Sequence, residues 1–94
     1  MKIKVDKIKK GLMRIHYIKE IEYMDNKYRK INRLTSQVGD VALTIKDGLW
    51  TTKGEFYLLQ ECYPPNGFKG IIADDGNPMG IHDDLGGFDF YRRI

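Results

Sequence analysis

Apolar and polar positions along this chain follow two rhythms. From Gly39 onward the apolar runs are short, because nine of the ten glycines and all three prolines lie there and turns cut this part into strand-length pieces. Val41, Leu43 and Ile45 alternate with Ala42 and Thr44, the pattern of a half-buried strand, and Lys46-Asp47-Gly48 turns the chain after it. Phe56-Tyr57-Leu58-Leu59 is apolar on both faces, which predicts a central strand of a closed barrel or one covered by another layer. Tyr63-Pro64-Pro65-Asn66-Gly67 must end it, since consecutive prolines cannot donate to a ladder and Asn-Gly tolerates positive φ. Phe68 to Ala73 reads as the next strand. Asp75-Gly76 is the strongest hairpin signal and would return Met79 to Ile81 antiparallel to Ile71 and Ile72, before a last strand from Phe88 to Arg92.

The N-terminal third has the other rhythm. Ile8, Leu12, Ile15, Ile18, Ile21, Met24, Tyr28 and Ile31 recur at steps of three or four, as on one helical face, with Asp6 placed to cap and Asp25-Asn26 to stop. This predicts a helix over residues 6–24. A competing alternation of Met13, Ile15 and Tyr17, with Lys9-Lys10-Gly11 as a turn, reads as a hairpin instead. From Lys27 to Leu34 alternation returns, and this segment is read as the first barrel strand.

Those residues in that order resemble a known family. Lys27-Tyr28-Arg29-Lys30-Ile31-Asn32-Arg33, then Val38-Gly39-Asp40, Thr52-Lys53-Gly54-Glu55-Phe56-Tyr57, Asp74-Asp75-Gly76-Asn77 and a closing aromatic strand are similar to small SH3-like barrel proteins encoded by tailed phages and prophages of Gram-positive bacteria. The resemblance implies a mainly β chain, an SH3-like barrel over residues 27–94 with a basic N-terminal extension over 1–26, together forming one compact domain. It implies an origin more than an activity, since one fold serves many functions.

Ninety-four residues leave room for one domain around one core. The longest apolar run, at residues 56–59, is far short of the roughly 18 residues of a membrane helix. No signal-peptide stretch follows the basic start, so a cytoplasmic place in the bacterial host is expected, without a membrane partner. The one cysteine, Cys62, leaves neither an internal disulfide nor a zinc ligand set and reads as a small buried hydrophobe.

Charge is unevenly spread: residues 1–34 hold eleven Lys/Arg against four acids, and residues 35–94 hold five against nine. Lys4, Lys7, Lys9, Lys10 and Arg14 are therefore candidate phosphate contacts of a nucleic-acid-binding module. The alternative is that the two parts attract each other across the fold. His82-Asp83-Asp84 and Asp74-Asp75 are the dense acid–base groups, and both read as polar turns because neighbours in extended chain point to opposite sides. No nucleophile elbow, phosphate loop or dinucleotide fingerprint occurs, so neither an enzyme nor a cofactor is expected. Trp50, Tyr63 and Phe68 lie in or beside loops that flank one groove in an SH3-like barrel, and they are the candidate anchors for a protein partner.

These readings converge on a phage-made, non-enzymatic protein that binds a host protein, such as a defence effector, and inhibits or modulates it. A nucleic-acid accessory module and a protein that sequesters a small ligand or nucleotide signal stand as the alternatives.

Overall fold

A computed structural model of the chain describes residues 2–10, 18–32, 35–48, 50–65, 67–81 and 87–94. Ten strands run in order: β1 (Lys2–Ile3), β2 (Lys7–Lys10), β3 (Ile18–Tyr23), β4 (Asn26–Ile31), β5 (Val41–Thr44), β6 (Phe56–Leu58), β7 (Gln60–Cys62), β8 (Phe68–Ile72), β9 (Pro78–Gly80) and β10 (Phe88–Arg93). All pairing is antiparallel. Seven strands form one sheet in the order β1-β6-β5-β10-β4-β3-β2, and β7-β8-β9 form a second.

Among the described residues there is no helix, which corrects the expectation over 6–24. β2 and β3 pair instead, with Lys7 opposite Glu22, Ile8 opposite Ile21 and Lys9 opposite Glu20. The spacing from Ile8 to Ile21 and Tyr28 fits a helical stripe, but it equally places all three abreast in neighbouring strands. Register and charge pairing decide for the sheet. Asp25 does not stop a helix: Met24 and Asp25, at φ 49° and 64°, form the tight turn between β3 and β4, of the type whose two central residues both have positive φ. Asp6 supports that turn by accepting the Met24 N–H at 3.2 Å. Met13, Ile15 and Tyr17, invoked in the hairpin alternative, lie outside the described residues.

The seven-stranded sheet is curled because its two edges belong to almost the same piece of chain. Only residues 4–6 separate β1 from β2, and four backbone steps reach at most about 14 Å. Seven flat strands would hold their outer members about 29 Å apart. Rolling the sheet brings Ile3 from one edge and Ile21 from near the other into one cluster with Tyr28, Val41, Leu43, Phe56 and Tyr91. The Tyr91 phenol, wholly buried, donates to the Ile18 carbonyl at 2.7 Å and ties β10 to β3.

The opposite face of the central strands packs on the three-stranded sheet. Ala42, Tyr57, Leu59, Ile71, Ile81, Phe88 and Phe90 form this second cluster. The expectation of one core is corrected accordingly: two cores share the strands between them. Val41 to Thr44 are all buried, so β5 is not half-buried as its alternation suggests. Its neighbours alternate between cores, Val41 and Leu43 in one and Ala42 in the other. The residues read as apolar on both faces do the same, since Phe56 joins the first core and Tyr57 and Leu59 the second. The hairpin signal at Asp75-Gly76 is realised with Ile71 opposite Met79.

Candidate protein-binding site

The hairpin of β7 and β8 ends in exposed aromatic surface. Cys62 stands opposite Phe68, and residues 63–67 connect them. Gly67 is required there, because a Cβ at this position would collide with the Cys62 carbonyl oxygen. Tyr63 adopts φ 59°, a left-handed conformation that costs a non-glycine residue on the order of 1–2 kcal/mol. It is nevertheless 68% exposed, as Phe68 is 42% exposed. Their rings lie 5.9 Å apart at 59°, within the range of favourable tilted pairs. No charged residue occurs from Cys62 to Phe68. An open hollow of about 490 Å³ beside the tip is lined by Phe68, Lys69, Gly80 and Ile81. Lys69 turns to the Ser36 hydroxyl and carbonyl, at 2.7 and 3.0 Å. Cys62 itself is buried, as read from the sequence.

Trp50 is exposed too, but it belongs to the other end of β8. Its carbonyl accepts the Asp74 N–H at 2.8 Å, six residues beyond Phe68. The three aromatics read as one anchor set are thus split into a Tyr63–Phe68 pair and a distant Trp50. A dense polar network holds the loop after Trp50. The Tyr57 phenol donates to Asp74 Oδ1 at 2.7 Å and accepts the Thr52 N–H at 3.0 Å, while the Thr52 hydroxyl donates to Asp74 Oδ2 at 2.7 Å. The Thr52 and Tyr57 hydroxyls hold the Asp74 carboxyl below its ordinary range, helped by Lys2 at 3.8 Å. Burial pushes the Tyr57 phenol up, and the Asp74 carboxylate adds to the shift. Asp74 is therefore the pivot of the turn that Asp74-Asp75 was read to make.

The basic third is organised by its acids. On one face of β2, β3 and β4, Glu22 stands between Lys7 and Lys27, and Glu20 between Lys9 and Arg29. Lys7 approaches Glu22 at 3.5 Å and Arg29 approaches Glu20 at 4.0 Å. A further pair lies outside the basic third: Arg92 grips Asp40 through Nη2 at 2.8 Å and Nε at 3.1 Å, a fork that raises the guanidinium pKa through those hydrogen bonds. Lys4, Lys7, Lys9 and Lys10 are exposed. Arg14, and the His82-Asp83-Asp84 group, lie outside the described residues.

The sequence reading missed Glu20 and Glu22, although the matching alternation of Lys7-Ile8-Lys9 and Glu20-Ile21-Glu22 was there to be seen. Among the described residues no helix is long and apolar enough to cross a membrane. Comparison with family models, curated proteins and solved structures found no match.

Proposed function

We propose that this chain is a non-enzymatic binding protein that inhibits or modulates a host protein, such as a defence effector, by protein–protein contact, with Tyr63 and Phe68 as anchors. One observation carries the reading: two adjacent aromatic rings stand exposed on an uncharged hairpin tip, and one of them is held in a costly backbone conformation. Large rigid aromatics bury much area for little entropy loss and dominate protein interfaces. The resemblance to phage-encoded barrels makes the bacterial cytoplasm the setting and a host protein the partner. The alternating cations and acids on β2, β3 and β4 weigh against nucleic acid, since phosphates laid across that face would meet Glu20 and Glu22 at its centre.

The test is affinity purification from the bacterial host with mass spectrometry, run with and without nuclease, followed by titration of the recovered protein. Phe68→Ala and Tyr63→Ala should each weaken the complex by at least about 1 kcal/mol, with little effect of salt. Capture that vanishes with nuclease, or binding that ignores both substitutions and falls steeply with salt, would refute the reading.

A further inference from the structure

We propose that the outer edge of β2 receives an extended segment of a partner protein, alternating acidic and apolar residues, as an added antiparallel strand. β2 is paired with β3 on one side, and among the described residues no strand lies on its other side. All four of its residues are exposed, Ile8 to 48%. A strand paired on one side only presents a row of unmatched N–H and C=O groups on the other.

The complement such an edge takes is already displayed inside the molecule. Lys7-Ile8-Lys9 is matched in register by Glu20-Ile21-Glu22, acid to lysine and isoleucine to isoleucine. An incoming strand of the same alternation would place its acids beside Lys7 and Lys9 and its central apolar side chain beside Ile8.

Charge also excludes the simplest competitor. A second copy pairing edge to edge about Ile8 would set each Lys7 against the other copy's Lys9, and like charges directly opposite destabilise a sheet. The lysines that guard this edge against self-association therefore select acids. A strand meets β2 first, whereas Glu20 and Glu22 lie one strand spacing further in, about 4.8 Å. The proposal does not depend on the aromatic tip, which belongs to the other sheet.

The experiment titrates the full chain with a blocked peptide, Thr-Glu-Ile-Glu-Val-Glu-Thr, and follows amide shifts and hydrogen exchange. The expected result is slowed exchange at β2 amides, with shifts confined to β2 and β3. The same peptide N-methylated at alternate residues keeps every charge but cannot complete the ladder, and should bind about tenfold more weakly or worse. A lysine-for-glutamate peptide should not bind to the native chain, and Lys7→Glu with Lys9→Glu should reverse that preference. Should the double reversal fail to fold, Lys9→Gln should weaken the acidic peptide alone. Unprotected β2 amides, equal affinity for the methylated peptide, or shifts centred on Tyr63 and Phe68 would overturn the proposal. The first two of these leave the aromatic reading intact, and loss of the Phe68→Ala effect leaves this one intact.

Discussion

Two flanks of the same central strands solve the problem of exposed surface in opposite ways. On the flank of β2, β3 and β4, exposed side chains of the outer face are charged, and strand register sets each acid between two cations. On the flank of β7 and β8 the tip carries no charge and leaves Tyr63 and Phe68 in water beside each other. Surface ion pairs add little stability, typically well under 1 kcal/mol each, so the first arrangement chiefly keeps a strongly basic segment soluble and in register. The second arrangement does neither. An aromatic pair that serves neither the core nor solvation is the better mark of a contact surface.

The comparison can be broken most forcefully at the charged flank. Its stability should come from the isoleucines under the charges, so Ile21→Ala, at a site 1% exposed, is expected to cost about 2–5 kcal/mol, read by denaturant unfolding. A shortened chain starting at Met24 loses Ile3 and Ile21 together and should fail to unfold cooperatively. A cost below about 1 kcal/mol for Ile21→Ala would mean that this flank is an appendage, not a wall of the first core.

The next test sharpens the other flank. Tyr63→Gly relieves the left-handed backbone at φ 59° but removes the ring resting on Phe68. Relief on the order of 1 kcal/mol should exceed the loss of one exposed ring contact, so thermal unfolding should move up slightly while partner affinity falls. Lower stability would show that the ring serves the fold. On the charged flank, Glu20→Gln with Glu22→Gln should cost less than about 1 kcal/mol. Those changes nevertheless leave four cations unrelieved on one face, and polyanion binding with a steep salt slope should appear where the native chain has little.

The smallest effect is expected from Asp74, which is partly exposed. Its folded-state pKa lies below the ordinary value, so its contribution is present above the unfolded pKa of about 4 and lost as pH falls through the folded one. Tyr57 has the opposite sign: raised by burial, it contributes below about pH 10, and that contribution fades as pH rises toward the folded value. Asp74→Asn should flatten the acid limb of a stability profile and, by removing the carboxylate that adds to the Tyr57 shift, weaken the alkaline limb without abolishing it, since burial is the larger cause there. An unchanged acid limb would remove Asp74 from the network's energetics.

Legibility in the sequence followed the turns. Where Gly, Pro and Asp-Gly punctuate the chain, strands fell close to where they are: the segment read from Phe68 to Ala73 is β8, and that from Phe88 to Arg92 is β10, longer by one residue. In the N-terminal third such punctuation is sparse: Gly11 is its one glycine, it has no proline, and Asp25-Asn26 reads equally as a helix stop. Its turn is Met24-Asp25, of which only Asp25 favours positive φ, and it is held by Asp6 from 18 residues away. With the turn hidden, spacing of three and four dominated. Exposure was legible by residue type, and place was not: Trp50, Tyr63 and Phe68 are all exposed, but loop order does not reveal which end of a strand a loop reaches, and Trp50 lies apart from the other two. The second core was illegible from length alone, since it arises by sharing strands and not by adding chain.

The position of β10 has a kinetic meaning. It follows every other strand in the chain, yet it lies at the centre of the seven-stranded sheet, between β5 and β4. The β3–β4 hairpin can zip early across its two-residue turn. The two halves of the sheet meet only when residues 88–93 arrive, and β1 must then find β6, more than 50 residues away. Ordering by such distant pairings places folding among the slow, milliseconds-to-seconds class of β proteins. Until β10 is in place the two half-sheets keep open inner edges, and a chain at that stage is exposed to edge-to-edge association.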